Sequence, residues 1–277
     1  MQHSRRSDRL FLTALAALGG SYVLLILLLL LADIAFTSPT HFFQALAKPE
    51  IQAATRLTLA TCTISAILSL WVAIPLGYLL SRFAFRGRAI IDCLIDIPIV
   101  LPPMVLGLSL LILFNHVRLG GVSLEEWLRQ RLNLQVTFAV PAVILAQFTA
   151  AAAFAVRTMR VAFDEIDPRT ELVAMTLGCS RLQAFWRIAL PQAWRGMVTA
   201  FTLAWSRSLG EFGPIYVFAG TTRLKTEVLS STVFLELNAN QLQSAVAVSL
   251  LMVAIAAIVL LIVRAIGFTV PNRILKA

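Results

Sequence analysis

Six long apolar runs, at approximately 11–32, 54–80, 93–115, 136–156, 197–219 and 243–263, dominate this sequence, each bounded by charge, Pro or Gly. A helix needs roughly 20 mainly apolar residues to cross about 30 Å of hydrocarbon, and every run is long enough. A lipid-facing backbone must satisfy its own hydrogen bonds, and these runs are too long and too evenly apolar for barrel strands. The sequence therefore predicts an all-α polytopic membrane protein with six transmembrane helices. Composition agrees: 59% of the 277 residues are hydrophobic and 13% charged, with a mean hydropathy of +0.85. A soluble domain holds about 45–50% apolar and about 25% charged residues, so an ordinary soluble enzyme is excluded. A disordered, collagenous or disulfide-stapled chain is excluded as well.

Arg5, Arg6 and Arg9 precede the first run and small residues follow it near Ala32 and Ala35, as in a signal peptide. Its apolar core exceeds the roughly 7–15 residues of a signal core, which favours a retained membrane anchor over a cleaved leader. Orientation follows from Lys and Arg in alternate connections. One set holds Arg5, Arg6, Arg9, Arg82, Arg86, Arg88, Arg157, Arg160, Arg169, Arg181, Arg187, Arg195, Arg264, Arg273 and Lys276. The other holds Lys48, Arg56, Arg118, Arg129, Arg131, Arg223 and Lys225. Fifteen against seven predicts that both termini are cytoplasmic, with Arg207 left inside a run.

The net charge of +9 arises from residues placed between apolar runs, not along one basic face. It predicts contact with membrane lipid and no nucleic-acid partner. Cys62, Cys93 and Cys179, like His3, His41 and His116, are too scattered for a metal cluster or for Cys/His catalysis. No catalytic residue, metal ligand or cofactor is expected on this chain.

The connections differ in character. In 116–135, Ser123 and Glu126 have capping-box spacing before Leu124, Trp127, Leu128 and Leu132, which predicts a short interfacial helix on the outer side. In 222–240, Thr226 is placed to cap a helix carrying Val228, Leu229, Thr232, Val233, Leu235 and Glu236. The longest connection, 157–196, is predicted to lie inside and to form two short helices with a hinge. Pro168 suits a first helical turn, Gly178 a left-handed helix end and Ser180 the next cap, while Pro191 stops or redirects the second helix. Leu172, Ala174, Met175 and Leu177, then Leu182, Phe185, Trp186 and Leu190, give this hairpin apolar faces that seek either a partner protein or the underside of the bundle.

Within this hairpin, Ala174, Gly178, Ile188, Leu190 and Pro191 fall at the spacing of the EAA motif, and the stretch resembles that of binding-protein-dependent ABC transporter permeases. Leu172 occupies the motif's Glu position, Val173 its first Ala, and Glu171 sits one place early. The resemblance covers roughly 54–264 and implies a type I ABC importer permease core. Residues 1–53 then form an N-terminal tail, an added first span and an outer loop, and 265–277 a cytoplasmic tail. It further implies that the hairpin is a coupling helix engaging a cytoplasmic ATPase subunit through Glu171, Leu172, Ala174, Gly178, Cys179, Ser180, Ile188 and Pro191. Also implied are two copies of the chain, an ATPase dimer carrying ATP and Mg, and an external solute-binding protein. No G-x-x-x-x-G-K-[ST] loop occurs here, so hydrolysis is assigned to the partner and the chain is not expected to be an enzyme.

Arg207 and Glu211 lie within the fifth apolar run. A charge in the bilayer costs at least about 2.5–3.5 kcal/mol, so both must face protein or water, and their spacing lets them pair across one helical turn. Such a pair fixes packing, works a gate or meets the cargo. The string Ser206, Arg207, Ser208, Leu209, Gly210, Glu211, Phe212 and Gly213 is similar to the corresponding segment of molybdate, tungstate and sulfate permeases. Ser206, Arg207, Ser208, Glu211 and Gly213 are accordingly the candidate path or gate residues. The resemblance implies a tetrahedral oxyanion as cargo, with molybdate first, tungstate near it, and sulfate or thiosulfate third. An ABC permease for another solute and an ion-coupled secondary transporter are the alternatives. Asp92, Asp96, Pro98, Pro102 and Pro103 mark the third run, and Pro75 with Gly77 the second, as either pathway kinks or packing features.

Overall fold

The structure, a computed structural model, describes residues 2–119 and 121–269 and is mostly helical. Among the described residues, four helices are long and apolar enough to cross a membrane: α1 (Gln2–Phe36, apolar from Phe11), α3 (Pro49–Arg82), α7 (Val140–Asp164) and α13 (Leu242–Thr269, spanning to Ala265). Between α1 and α3 lies α2 (Pro39–Ala47), capped by the Ser38 hydroxyl, which accepts from His41 N–H at 3.4 Å.

The third and fifth of the six expected spans are not single helices. The run 93–115 divides into α4 (Arg88–Val100) and α5 (Pro103–Asn115), bent by 113°. Pro102 and Pro103 have no N–H to donate, so the helical ladder cannot continue through them. The run 197–219 divides into α11 (Trp194–Leu209) and a second helical piece from Gly213 that contains the wide turn Ile215–Ala219, separated by Gly210–Phe212. Hydropathy is continuous through both breaks; backbone chemistry is not.

The core forms where α3, α7 and α11 meet. Cys62, Ala66 and Ala73 of α3 pack with Ala151, Ala155 and Met159 of α7 and with Ala200, Ala204 and Trp205 of α11, all buried. Small residues let helix backbones approach closely, the principal means of association when lipid competes equally for apolar surface. Gly77 shows the closeness: an added Cβ would lie 2.8 Å from Met159 Cβ and 2.9 Å from Arg160 N. Its role is packing, and α3 continues past Pro75 to Arg82. At the periphery, none of the apolar window of α1 is buried, and α4 buries no residue. These faces are left for lipid or for other chains.

After α5, a two-residue strand pair, β1 (Arg118–Leu119) and β2 (Val122–Ser123), leads into α6 (Leu124–Leu132). The expected capping box is present. The Ser123 hydroxyl accepts from Glu126 N–H at 3.2 Å, and Glu126 Oε2 accepts from Ser123 N–H at 3.0 Å. Those bonds hold the Glu126 carboxyl below its usual range. Leu124 and Leu128 pack on the cluster around Phe114 and Phe218, whereas Trp127 and Leu132 remain exposed.

The segment after the fifth run ends in α12 (Leu229–Asn238), but Thr226 does not cap it. Thr226 closes its own turn, donating to Gly220 O at 3.0 Å and accepting from Thr222 N–H at 3.1 Å, while the Ser231 hydroxyl accepts from Val228 N–H at 3.0 Å.

Candidate functional site

The predicted 157–196 loop is shorter than expected because α7 continues to Asp164 and α11 begins at Trp194. Arg157 and Arg160 therefore belong to α7. There Arg160 Nη1 meets Asp92 Oδ1 at 2.6 Å and Arg157 Nε meets Asp96 Oδ1 at 2.7 Å, tying α4 to α7. The sequence reading did not join these residues. The signal was their matched spacing, four apart on α4 and three apart on α7, which puts each pair on one helical face.

The connection that remains is a helical hairpin. Its first arm, α8 (Arg169–Thr176), follows Pro168, and Asp167 Oδ1 accepts from Arg169 N–H at 2.9 Å. Gly178 ends the arm at φ +95°, as its sequence position suggested. Gly178 N–H donates to Met175 O at 3.1 Å and Cys179 N–H to Ala174 O at 3.0 Å, the paired bonds of a Schellman end. The second arm opens with a capping box, the Ser180 hydroxyl accepting from Gln183 N–H at 3.2 Å and Gln183 Oε1 from Ser180 N–H at 2.8 Å. It comprises α9 (Arg181–Ala184), a π-type turn (Phe185–Ala189) and α10 (Leu190–Gln192). Pro191 does not stop this arm. The wider turn, in which Leu190 N–H reaches back to Phe185 O, accommodates the residue that has no N–H.

The hairpin has two unlike faces. Leu172, Val173, Leu177, Leu182 and Trp186 are exposed, Leu177 by 81%. Glu171 and Ala174 are buried, and Cys179 and Ile188 are half-buried. Gly178, Ser180 and Pro191 are exposed. The eight predicted coupling residues thus divide between an outward and an inward side. Inward, Tyr78 Oη donates to Glu171 Oε2 at 2.5 Å and Arg82 Nε to Glu171 Oε1 at 2.8 Å. Each side chain of that ion pair is less than a tenth exposed. Removing one partner of such a pair leaves a stranded charge, at a cost of about 3–5 kcal/mol. Tyr78 also packs edge-on against Phe163 and Phe185, with centroids 5.4 and 4.7 Å apart.

Arg207 and Glu211 are joined in an ion pair, as their spacing suggested, although α11 has ended before Glu211. Glu211 is buried while Arg207 is partly exposed, its guanidinium carbon 5.9 Å from the centre of the Phe154 ring. Ser206 is half-buried. Ser208 is fully buried and its hydroxyl has no hydrogen-bond partner. Gly213 points elsewhere, into the break between α4 and α5. A Cβ on Gly213 would lie 2.9 Å from Pro103 Cβ, and one on Gly107 would lie 2.7 Å from Pro214 Cα. The two breaks are thus seated in one another, each held by a glycine of the other's segment. Only the prolines and glycines signalled this in the sequence, without indicating which segments meet.

At the end of the bundle remote from the hairpin, Glu236 of α12 accepts from Lys48 Nζ at 2.9 Å and Arg223 Nη2 at 3.0 Å. Burial alone would raise its carboxyl, but the two cations hold it below the usual range. Glu227 is also buried and neither of its oxygens has a hydrogen bond, so burial pushes its carboxyl up. The Thr232 hydroxyl donates to Val228 O at 3.1 Å. Among the described residues no group of three or more His, Cys, Asp or Glu side chains is placed to hold a metal ion.

Apolar spans interrupted by mutually seated breaks, with an amphipathic hairpin at the end of the core, define a helical membrane protein of the transporter type. Residues 73–270 match the family described as binding-protein-dependent transport system inner membrane component, and the chain belongs to that family. It is 32% identical over 250 residues to the sulfate transport system permease protein CysT of Escherichia coli, covering 88% of each chain. It is 33% identical over 208 residues to the molybdate/tungstate permease WtpB of Pyrococcus abyssi, covering 74% of this chain and 76% of that one. To the molybdenum permease ModB of Mycobacterium tuberculosis it is 34% identical over 223 residues, covering 80% and 81%. The fold resembles a solved bacterial ABC transporter involved in alginate import, with a TM-score of 0.72, 19% identity and coverage of 96% of this chain and 97% of that one. The methionine transporter MetNI gives a TM-score of 0.56 at 18% identity, covering 80% and 93%. The chain is an ABC importer permease of the sulfate and molybdate/tungstate group.

Proposed function

We propose that this permease forms the path by which a tetrahedral oxyanion enters the cell, driven by ATP hydrolysis in a partner subunit. The observation that carries the reading is the set of relatives: sulfate and molybdate/tungstate permeases match at 27–34% identity, each over at least 74% of this chain. These cargoes share tetrahedral shape and negative charge. The sulfate relatives support their anion as well as the molybdate relatives support theirs, so the proposal is the class, with sulfate and molybdate as the two arms of its test.

In this reading the chain crosses the inner membrane six times. The crossings are α1, α3, the bent pair α4–α5, α7, α11 with the turn Ile215–Ala219, and α13. The balance of Lys and Arg puts both termini in the cytoplasm. The exposed hairpin face around Leu172, Leu177 and Trp186 docks on an ATPase subunit, which holds ATP and Mg. A second copy of the chain completes the path, and a solute-binding protein delivers cargo outside. Irregular backbone at membrane depth is tolerated only against protein or a water-filled space, which favours the breaks at 101–102 and 210–212 as path elements. The half-exposed Ser206 and Arg207 lie beside the second break and supply a hydroxyl and a cation for an anion. Buried Ser208, Glu211 and Gly213 support the geometry behind them.

The test is reconstitution with the cognate ATPase and binding protein, measuring ATP-driven uptake of labelled molybdate in competition with tungstate and sulfate. At least one oxyanion is expected to accumulate only with ATP. Transport of a different solute with none of these moving overturns the cargo, and accumulation driven by an ion gradient without ATP overturns the mechanism.

A further inference from the structure

We infer that Glu171 is a positioning residue, the tether through which the hairpin moves α3, and not a contact for the motor subunit. This rests on the reading of the hairpin as the ATPase-docking element and names the helix that receives the motion.

The hairpin is continuous with α7 through 165–168 and with α11 through α10, so both helices follow it by covalent connection. No covalent connection reaches α3, which packs along α7 and α11 and is separated from the hairpin in sequence by α4 to α7. Glu171 joins its end to the hairpin directly, by non-covalent bonds. It lies on the inward side of α8 with Ala174, each 6% exposed, while Leu172, Val173 and Leu177 face out. Its two carboxylate oxygens are taken by the last turn of α3, one by Tyr78 and one by Arg82. Arg82 also donates from Nη2 to Ile166 O at 2.9 Å, gripping the hairpin on both sides of its Pro168 corner. Ser81 adds a bond to Asp164 Oδ1 at 2.6 Å. A cavity of about 310 Å³ opens beside the pair, with Phe83, Met175 and Arg181 in its wall. The Arg181 guanidinium lies 5.1 Å from the centre of the Phe83 ring. The α3 end also meets the hairpin through the Tyr78–Phe185 ring contact and through Leu80, which shares a buried cluster with Phe185 and Ala189. A buried, charge-assisted hydrogen-bonded pair fixes relative position by its geometry, whereas apolar packing is non-directional.

The tether is tested in the full complex, reconstituted with its ATPase and binding protein, by measuring ATP hydrolysis and solute uptake in the same vesicles. Glu171→Gln and Arg82→Glu are each expected to leave hydrolysis running while uptake per ATP falls about tenfold, within the range of site-to-site coupling. The double variant Glu171→Arg/Arg82→Glu is expected to recover most of the ratio. Tyr78→Phe, which removes one hydrogen bond and no charge, is expected to lower it less. An unchanged uptake-to-ATP ratio in assembled single variants, or a double variant no better than either single, overturns the tether and leaves the importer reading standing. Should the charge variants fail to assemble, an unchanged ratio in Tyr78→Phe overturns it equally. A wild-type complex without ATP-driven uptake of any solute overturns the importer reading first.

Discussion

Two glycine-marked bends in this chain serve opposite purposes. At the tip of the hairpin, Gly178 adopts φ +95° in open space, and an added Cβ would meet nothing within 4 Å. Where the two broken spans cross, Gly107 and Gly213 have no left-handed backbone, yet an added Cβ would strike neighbouring backbone at 2.7 and 3.0 Å. The first glycine is required for conformation and the second pair for room. A conformational glycine leaves a corner that is accessible and shaped by local rules, which suits the docking role proposed for the hairpin. A packing glycine locks two segments together, so that a break in one helix cannot shift without the other.

The comparison is broken most forcefully at the crossing. Gly107→Val and Gly213→Val are expected to abolish accumulation of folded protein, and the alanine variants to cost about 1–3 kcal/mol through overpacking. Thermal unfolding in detergent checks this, at roughly 2–4 °C per kcal/mol. Alanine variants melting like wild type would show that the breaks are not seated as described. Next in size is Gly178→Val. A branched side chain in the left-handed region costs about 1–2 kcal/mol, too little to prevent insertion but enough to move the hairpin tip. Normal membrane yield with uncoupled ATP hydrolysis is expected, and full uptake would contradict the hinge.

The smallest effect belongs to Glu227. Its folded carboxyl titrates above the usual range, so its stabilisation is present at low pH and is lost as pH rises through that raised value. Glu227→Gln should therefore raise the melting temperature at pH 8, by about 2–4 °C, and the gain should shrink as the pH is lowered. A gain that is constant with pH would point to packing instead of ionisation. Glu236 has the opposite sign: its lowered carboxyl stabilises above the ordinary range and loses that contribution as pH falls.

The sequence was most readable where structure is local. The Ser123–Glu126 box, the Ser180 cap and the left-handed Gly178 each depend on neighbours within a few residues, and each is present. Thr226 was misread because a hydroxyl three residues before a helix has a competing use, here closing the turn onto Gly220 O. The break after Leu209 was hidden because Phe212, Ile215 and Val217 keep the run apolar while Gly210 and Pro214 interrupt its backbone. What the sequence withheld is tertiary. Glu171 read as one position out of register, and only the inner end of α3 explains why an acid sits there. Likewise, Asp92 and Asp96 read as markers of a span until Arg160 and Arg157 were found opposite them.

The account depends most on the hairpin's outward face meeting the motor. Leu177→Cys, 81% exposed at the tip, with Cys93 and Cys179 replaced by Ser, gives a single addressable thiol on that face. In inverted membranes containing the complex, this position is expected to crosslink to the ATPase subunit, with a yield that changes when ATP is added. Labelling of the thiol by an impermeant reagent from the periplasmic side, with no crosslink to the ATPase, would contradict it.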